Sequence, residues 1–409
     1  MKLLKYLTGF LIYTVIFIGF HPEIIHAKDV KDTQSLCYEC HAKRVEELTK
    51  KAIVHQPVKD GKCTGCHNPH ASKHSGLLAY TGSALCYNCH DQKKGFAGII
   101  VHKPVAEGNC LVCHDAHSSD RKGLLKKTEA EGCFSCHAKE GIIAKKNVHP
   151  EVKRGRCTAC HNPHSSDREG LLIRDRKSLC AGCHSGADAA FVKAHFGYKV
   201  GGTDCLGCHS PHSSDRKGLM KASLHKPFAE NKCTACHPVG ASTVIKNNSG
   251  LCTECHKASL AGFDKINSHL IAAATDNFCI SCHNPHASDE KNLLKDKEAR
   301  VCYGCHNDTK EYVARSNHKH PRLETCSDCH TSHGSNNQFF LTKGSDTCAM
   351  ENCHAAQGRF THPIGEKIID PRSKTPMNCS TCHNPMGSPE SAILRFEKDR
   401  ELCIQCHQV

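Results

Sequence analysis

The chain has no Trp, 5% aromatic residues and only five Met in 409 residues. Hydrophobic residues reach 38%, and that figure counts 32 Cys. Large apolar side chains supply most of the burial in an ordinary domain. Their scarcity excludes the two or three conventional domains that length alone suggests. Something other than side chains must fill the interior. After the first twenty residues no apolar run approaches the ~20 residues of a membrane span. No Cys precedes Cys37, which excludes a lipoprotein attachment site near the N-terminus. Aromatic residues interleaved with basic ones are also missing, so the net charge of +13 does not read as a nucleic-acid surface.

At the N-terminus, Lys2 and Lys5 precede a largely apolar stretch from Tyr6 to Phe20, and Ile25-His26-Ala27 offers a cleavage site. Residues 1–27 are therefore expected to be a signal peptide rather than an anchor, and the mature chain to be soluble and exported. Removing two Lys and one Glu with it leaves +12.

What is abundant is Cys and His, 32 and 34 respectively. Export permits disulfides, and an even count fits them, so the spacing must decide. Fifteen Cys pairs read C-x-x-C-H. They are Cys37-Cys40-His41, Cys63-Cys66-His67, Cys86-Cys89-His90, Cys110-Cys113-His114, Cys133-Cys136-His137, Cys157-Cys160-His161, Cys180-Cys183-His184 and Cys205-Cys208-His209 in the first half. The second half carries Cys233-Cys236-His237, Cys252-Cys255-His256, Cys279-Cys282-His283, Cys302-Cys305-His306, Cys326-Cys329-His330, Cys379-Cys382-His383 and Cys403-Cys406-His407. A sixteenth, Cys348-Cys353-His354, has four residues between its Cys, and no Cys is left over. Random placement at this composition gives about 0.2 matches along the chain. The spacing is that of covalent haem attachment: two thiols add to the porphyrin vinyl groups, and the following His reaches the iron. Zinc ribbons use C-x-x-C as well, but they do not require His after every second Cys. The expected cofactor is haem c, sixteen per chain.

The motifs alternate between two types. The first type follows an apolar residue, as at Leu36-Cys37 and Leu179-Cys180; the second is often followed by Pro-His, as in His161-Asn162-Pro163-His164. After a first-type motif comes a helical pattern, such as Ala42 to Val54 with Val45, Leu48 and Ile53 on one side. A His then precedes the next motif by eight residues, as from His55 to Cys63. Cys86 to Cys133 and Cys133 to Cys180 both span 47 residues, a repeat length typical of arrays that bury one another's faces. Cys205 and Cys233 both open second-type motifs. That phase slip predicts two eight-haem lobes, 28–221 and 222–409, with a joint near Gly218 to Ser223. Residues 28–409 leave about 24 residues per haem, too few for private pockets. The expected fold is mainly short α-helices and irregular loops around a stacked haem array, with little β-structure. Without haem it should be largely unfolded.

Sixteen His remain outside the motifs and the leader. Expected second axial ligands upstream of motifs are His55, His102, His149, His195, His225, His269, His318 and His362; downstream they are His70, His117, His164, His212, His286 and His333. His318 is preferred to His320 because it lies eight residues before Cys326. Two slots break the pattern. Pro238-Val239-Gly240 follows His237 with no His, and Met386 stands where a His is expected after His383. Met386 is read as an iron ligand, with a small apolar filler as the alternative. His74 or His320 could fill the other slot, or it could stay vacant.

The alternating C-x-x-C-H-x-P-H and L-C-x-x-C-H pattern resembles the multihaem cytochromes c with doubled CXXCH motifs. That family includes periplasmic decahaem cytochromes held in outer-membrane porins. The resemblance covers nearly the whole chain beyond the leader. It implies bis-His, low-potential haems carrying electrons, and a periplasmic or cell-surface location. Its implied donor is an inner-membrane quinol oxidoreductase or a periplasmic cytochrome, and its implied acceptor an outer-membrane porin or surface cytochrome. Membrane association would come only through such partners. The haem count is also similar to that of sixteen-haem cytochromes of sulfate reducers, though this chain uses fewer residues per haem. The rival function is a multihaem nitrite or hydroxylamine reductase, which needs an iron open to substrate. Its one candidate is the haem at Cys233, Cys236 and His237.

Overall fold

The computed structural model describes residues 33–92, 96–246, 248–269, 278–350, 353–354 and 364–407. The expected signal peptide, and His362 among the expected ligands, lie outside them. The described chain forms two compact units, one of residues up to 91 with 107–128, the other of 92–106 with 129–409. The phase slip between Cys205 and Cys233 lies inside the second unit.

Elements are short, as expected. The longest helix, Thr33–Thr49, is interrupted by non-helical geometry at His41. Later first-type motifs start in helices of four to six residues, among them Glu129–Phe134, Arg176–Ala181 and Glu298–Tyr303. Short helices such as Lys257–Phe263 and Asn307–Arg315 follow them. Most second-type motifs open on single 3₁₀ turns, for example Cys63–Gly65 and Cys157–Ala159.

The helix expected over Ala42 to Val54 stops at Thr49. Ile53 and Val54 leave it and pair antiparallel with Ser118 and Ser119. Two β-branched residues favour the extended backbone. The same two-residue ladder recurs: Ile100–Val101 with Ser165–Ser166, Asn147–Val148 with Ser213–Ser214, Ser223–Leu224 with Ala287–Ser288, and Asn267–Ser268 with Gly334–Ser335. Each ladder ties the strand before an upstream His to the segment just after a later downstream His. The upstream His then caps a four-residue helix, with Pro fixing the first turn after His55, His149 and His225.

Side chains alone build almost no core. Among the described residues the buried apolar ones are Ala287, Ala299 and Met377. The recurrent buried residue is Ser, which ties the loop after second-type motifs: Ser119 Oγ donates to Leu125 O at 2.5 Å and Ser335 Oγ to Leu341 O at 2.8 Å. Ion pairs such as Arg315 with Glu311 are exposed and contribute at most ~1 kcal/mol each. In the second unit the apolar side chains instead line a continuous cavity of about 4850 Å³. Ordinary ligand sites hold about 300–1,000 Å³.

Candidate haem centres

The motif Cys and His are held by one hydrogen-bond closure. The His backbone N–H bonds the carbonyl of the first Cys, for instance His67 to Cys63 at 3.0 Å and His184 to Cys180 at 2.9 Å. One turn therefore presents both thiols and sets the His beside them. The wide motif achieves the same closure, with His354 N bonded to Cys348 O at 3.1 Å. No two of the 32 Cys are joined by a disulfide in this structure.

The ring geometry shows what stands across from each motif His. His55 faces His90, His67 faces His117 and His102 faces His137, all at 6.0 Å between ring centroids. The series continues with His149 and His184 at 6.2 Å, His161 and His212 at 6.0 Å, and His225 and His256 at 5.9 Å. His237 and His286 stand at 5.8 Å, and His269 and His306 and His283 and His333 each at 6.2 Å. His195 and His209 face each other at 6.1 Å, as do His320 and His354.

Each of these eleven pairs joins one motif His to one His from outside the motifs. A metal–imidazole bond is about 2.0 Å, so one ion gripped from both sides holds two ring centroids about 6 Å apart. Among the described residues no three His, Cys, Asp or Glu side chains converge as a metal-ion site. The paired rings thus fit an ion that brings its own equatorial ligands, as haem iron does.

Hydrogen bonds fix which ring nitrogen is free. His67 Nδ1–H donates to Gly76 O at 2.7 Å, His161 to Gly170 O at 2.6 Å and His330 to Phe339 O at 2.6 Å. The partner rings do likewise, His55 to Ala116 O and His102 to Pro163 O, both at 2.9 Å. The proton sits on Nδ1, leaving the Nε2 lone pair for a metal. Burial also lowers the pKa of His212, His286 and His333, which favours the neutral form that ligates.

Several positions differ from the sequence expectation. The ring facing His354 belongs to His320, not to the preferred His318. His318 instead exchanges backbone bonds with Ser388 at 2.8 and 2.9 Å. Spacing to Cys326 misled because only six positions separate His320 from Cys326, against eight after His55, His102, His149 and His225 and ten after His269. The haem site at Cys233, the candidate for an iron open to substrate, has His286 opposite its His237. The missing downstream His after His237 is felt one motif earlier, at His209, and His195 supplies that face. Among the described residues His41, His70, His330 and His383 have no imidazole at this separation. His114 and His164 retain the same local turns, with His114 Nδ1 on Gly123 O at 2.7 Å and His164 N on Asn162 Oδ1 at 3.0 Å. His407 closes its motif on Cys403 O at 3.0 Å.

Neighbouring motifs also meet through sulfur. First thiols lie within hydrogen-bonding reach in the pairs Cys37 and Cys63, Cys86 and Cys110, Cys180 and Cys205, Cys252 and Cys279, Cys302 and Cys326, and Cys348 and Cys379. Second thiols lie near one another at Cys66 and Cys89, Cys160 and Cys183, Cys236 and Cys255, Cys282 and Cys305, Cys329 and Cys353, and Cys382 and Cys406. Attachment points therefore meet alternately by their first and their second thiols.

Comparison with known proteins gives the same picture. The family model of the doubled CXXCH motif matches residues 55–95, 102–141, 149–189, 195–224, 225–261, 270–311 and 373–409. The multiheme cytochrome MtrA of Shewanella baltica (strain OS185) is 31% identical over 209 residues, covering 46% of this chain and 58% of that protein. The chain thus spans little more than half the length of that relative. The family matches cover most of the sequence and fall on the turns that present paired thiols, so this chain belongs to the doubled-CXXCH family of multihaem c-type cytochromes.

Proposed function

We propose that the chain is an exported electron conduit with sixteen covalently bound haems, arranged as two runs of eight, 28–221 and 222–409. The observation that carries this reading is the set of paired imidazoles. A haem iron held between a motif His and the facing His would offer no position to substrate and would exchange only electrons. Haem iron, when bound, supplies that one-electron chemistry between its ferric and ferrous states. The chain's own contribution is to hold the Nε2 atoms of the paired His neutral and oriented, and to set the attachment thiols of neighbouring motifs side by side. Bis-His ligation favours low potentials. The resemblance to porin-held periplasmic cytochromes supports a periplasmic or outer-membrane location. It also supports a donor such as a quinol oxidoreductase or periplasmic cytochrome, and an acceptor such as a porin complex or surface cytochrome. Net positive charge and surface Lys suit haem propionates and acidic partners, not nucleic acid.

The test is film voltammetry of the purified holoprotein, with haem content from mass and haemochrome absorbance. The expected result is sixteen haems and a broad reversible low-potential wave that nitrite or hydroxylamine leaves unchanged. A catalytic current on adding either substrate would replace this reading with the reductase one.

A further inference from the structure

The imidazole pairs follow a rule along the chain. The residue three positions after a second-type motif His faces the motif His of the preceding second-type site: His117 faces His67, His212 faces His161, His286 faces His237, and His333 faces His283. The next motif His in this order is His330. The residue three positions after the following second-type His, His383, is Met386.

Three observations place Met386 in the structural position its predecessors hold. The first is the local turn. Met386 N donates to Asn384 Oδ1 at 3.2 Å, as His286 N does to Asn284 Oδ1 and His164 N to Asn162 Oδ1, both at 3.0 Å. Ser388 Oγ then closes on Leu394 O, as Ser166 Oγ does on Leu172 O.

The second is strand register. Ser223 lies opposite Ser288, which sets His225 opposite His286. His318 lies opposite Ser388, and the same count sets His320 opposite Met386. His320 also does what the upstream His of other repeats does, facing the first-type His354. The segment is docked in register, and its one departure is the side chain at 386.

The third is His330 itself. Its Nδ1 is bonded to Phe339 O like that of the other second-type His, so Nε2 is directed as theirs is. Among the described residues no imidazole lies about 6 Å away. Met386, half-buried, lines the same cavity as His330. From His330 to Met386 is 56 residues, against 49 to 51 in the other four pairs. The interval holds the wide Cys348–Cys353 motif and the hairpin of Gly365–Ile369 with Pro376–Met377.

We propose that Met386 is the second axial ligand of the haem attached at Cys326 and Cys329, making it a His330/Met386 centre in a chain of bis-His centres. The inference rests on the conduit reading above. A thioether is soft, uncharged and proton-free, and it stabilises ferrous over ferric iron relative to imidazole. This centre is then a high-potential step next to the His320/His354 centre, whose thiol Cys353 lies near Cys329. Its ligation is insensitive to protons on the methionine side.

The test uses the full holoprotein, the volume-conserving variant Met386→Leu and the ligating variant Met386→His. Readouts are the weak red sulfur-to-iron charge-transfer band of ferric His/Met haem and low-temperature EPR. The wild type should show the band at an intensity of one haem. Met386→Leu should lose it and gain one high-spin haem. Met386→His should lose it, remain low-spin throughout and lower one potential. A wild type lacking the band, or a band that persists in Met386→Leu, overturns the proposal. Either result leaves the conduit reading intact if the remaining haems stay low-spin; a loss of low-spin signal across many haems in the wild type would sink that reading instead.

Discussion

At the scale of the residue, the sequence shows which His attaches beside the thiols but not which His faces it. Proximal His are legible because covalent chemistry fixes them one position after a Cys. Facing His are fixed by strand register, which depends on loop lengths between segments some fifty residues apart. His318 and His320 make the point: both are near Cys326, and only the ladder with Ser388 shows that His320 holds the facing position. The expected outcome is that His320→Ala produces one high-spin ferric haem by EPR while His318→Ala leaves the spectrum low-spin. The reverse result would restore the spacing argument. Likewise His286→Ala should open the haem at Cys233 and Cys236, and nitrite or carbon monoxide should then bind one haem per chain; a variant that binds neither would show that His286 is not its ligand.

At the scale of the element, the turn after each second-type motif is conformationally costly. Gly123 and Leu124 both have positive φ, 73° and 56°, and the Gly123 carbonyl receives the His114 Nδ1–H. Late repeats place Asn292, Phe339 and Ala392 where early ones place Gly. A non-Gly residue there costs about 1–2 kcal/mol. Nothing crowds a Cβ at Gly123, so Gly123→Ala should cost only that backbone term. Ala392→Gly should recover up to ~1 kcal/mol, offset partly by added freedom in the unfolded chain. Amide exchange at Arg395, bonded to Cys382 O at 2.9 Å, reads the latter locally. Faster exchange in Ala392→Gly would contradict it.

Gly334 is constrained differently. A Cβ there would lie 2.6 Å from Gly262 O and 2.9 Å from Asn267 O. Gly334→Ala should therefore split the ladder that seats both His269 and His333, costing about 1–3 kcal/mol and broadening the signals of two haems. In the hairpin of Gly365–Ile369 with Pro376–Met377, the Arg372 guanidinium grips Asp370 at 2.9 and 3.0 Å and draws its pKa down to about 2. An unfolded Asp titrates near ~3.9. The pair's stabilisation is thus complete above that pH and is lost as pH falls through about 2. An Asp370 carboxyl NMR midpoint near 4 would show that the pair does not hold.

At the scale of the whole molecule, composition forecast the near-absence of a side-chain core, and three buried apolar residues among those described agree with it. The chain produced without haem attachment should have a far-UV spectrum close to random coil and no cooperative thermal transition; a cooperative transition would contradict a haem-built interior. The two-type alternation and the phase slip were also legible, because both are written in spacing. How the slip is repaired was not. Losing one first-type motif and one downstream His strands His195 and His209, and the fold brings those two together at 6.1 Å.

The ladders carry one more consequence, for how the protein matures. His67 waits for His117, and His283 waits for His333. If the chain is exported from its N-terminus and loaded with haem as proposed, each second-type haem of this kind would keep an unfinished iron until about fifty more residues had crossed the membrane. Completion then advances as a front that trails the emerging chain by one repeat. A chain truncated after residue 310 should stop that front in place, leaving the haem of His283 five-coordinate and reactive toward small ligands while earlier centres are already closed.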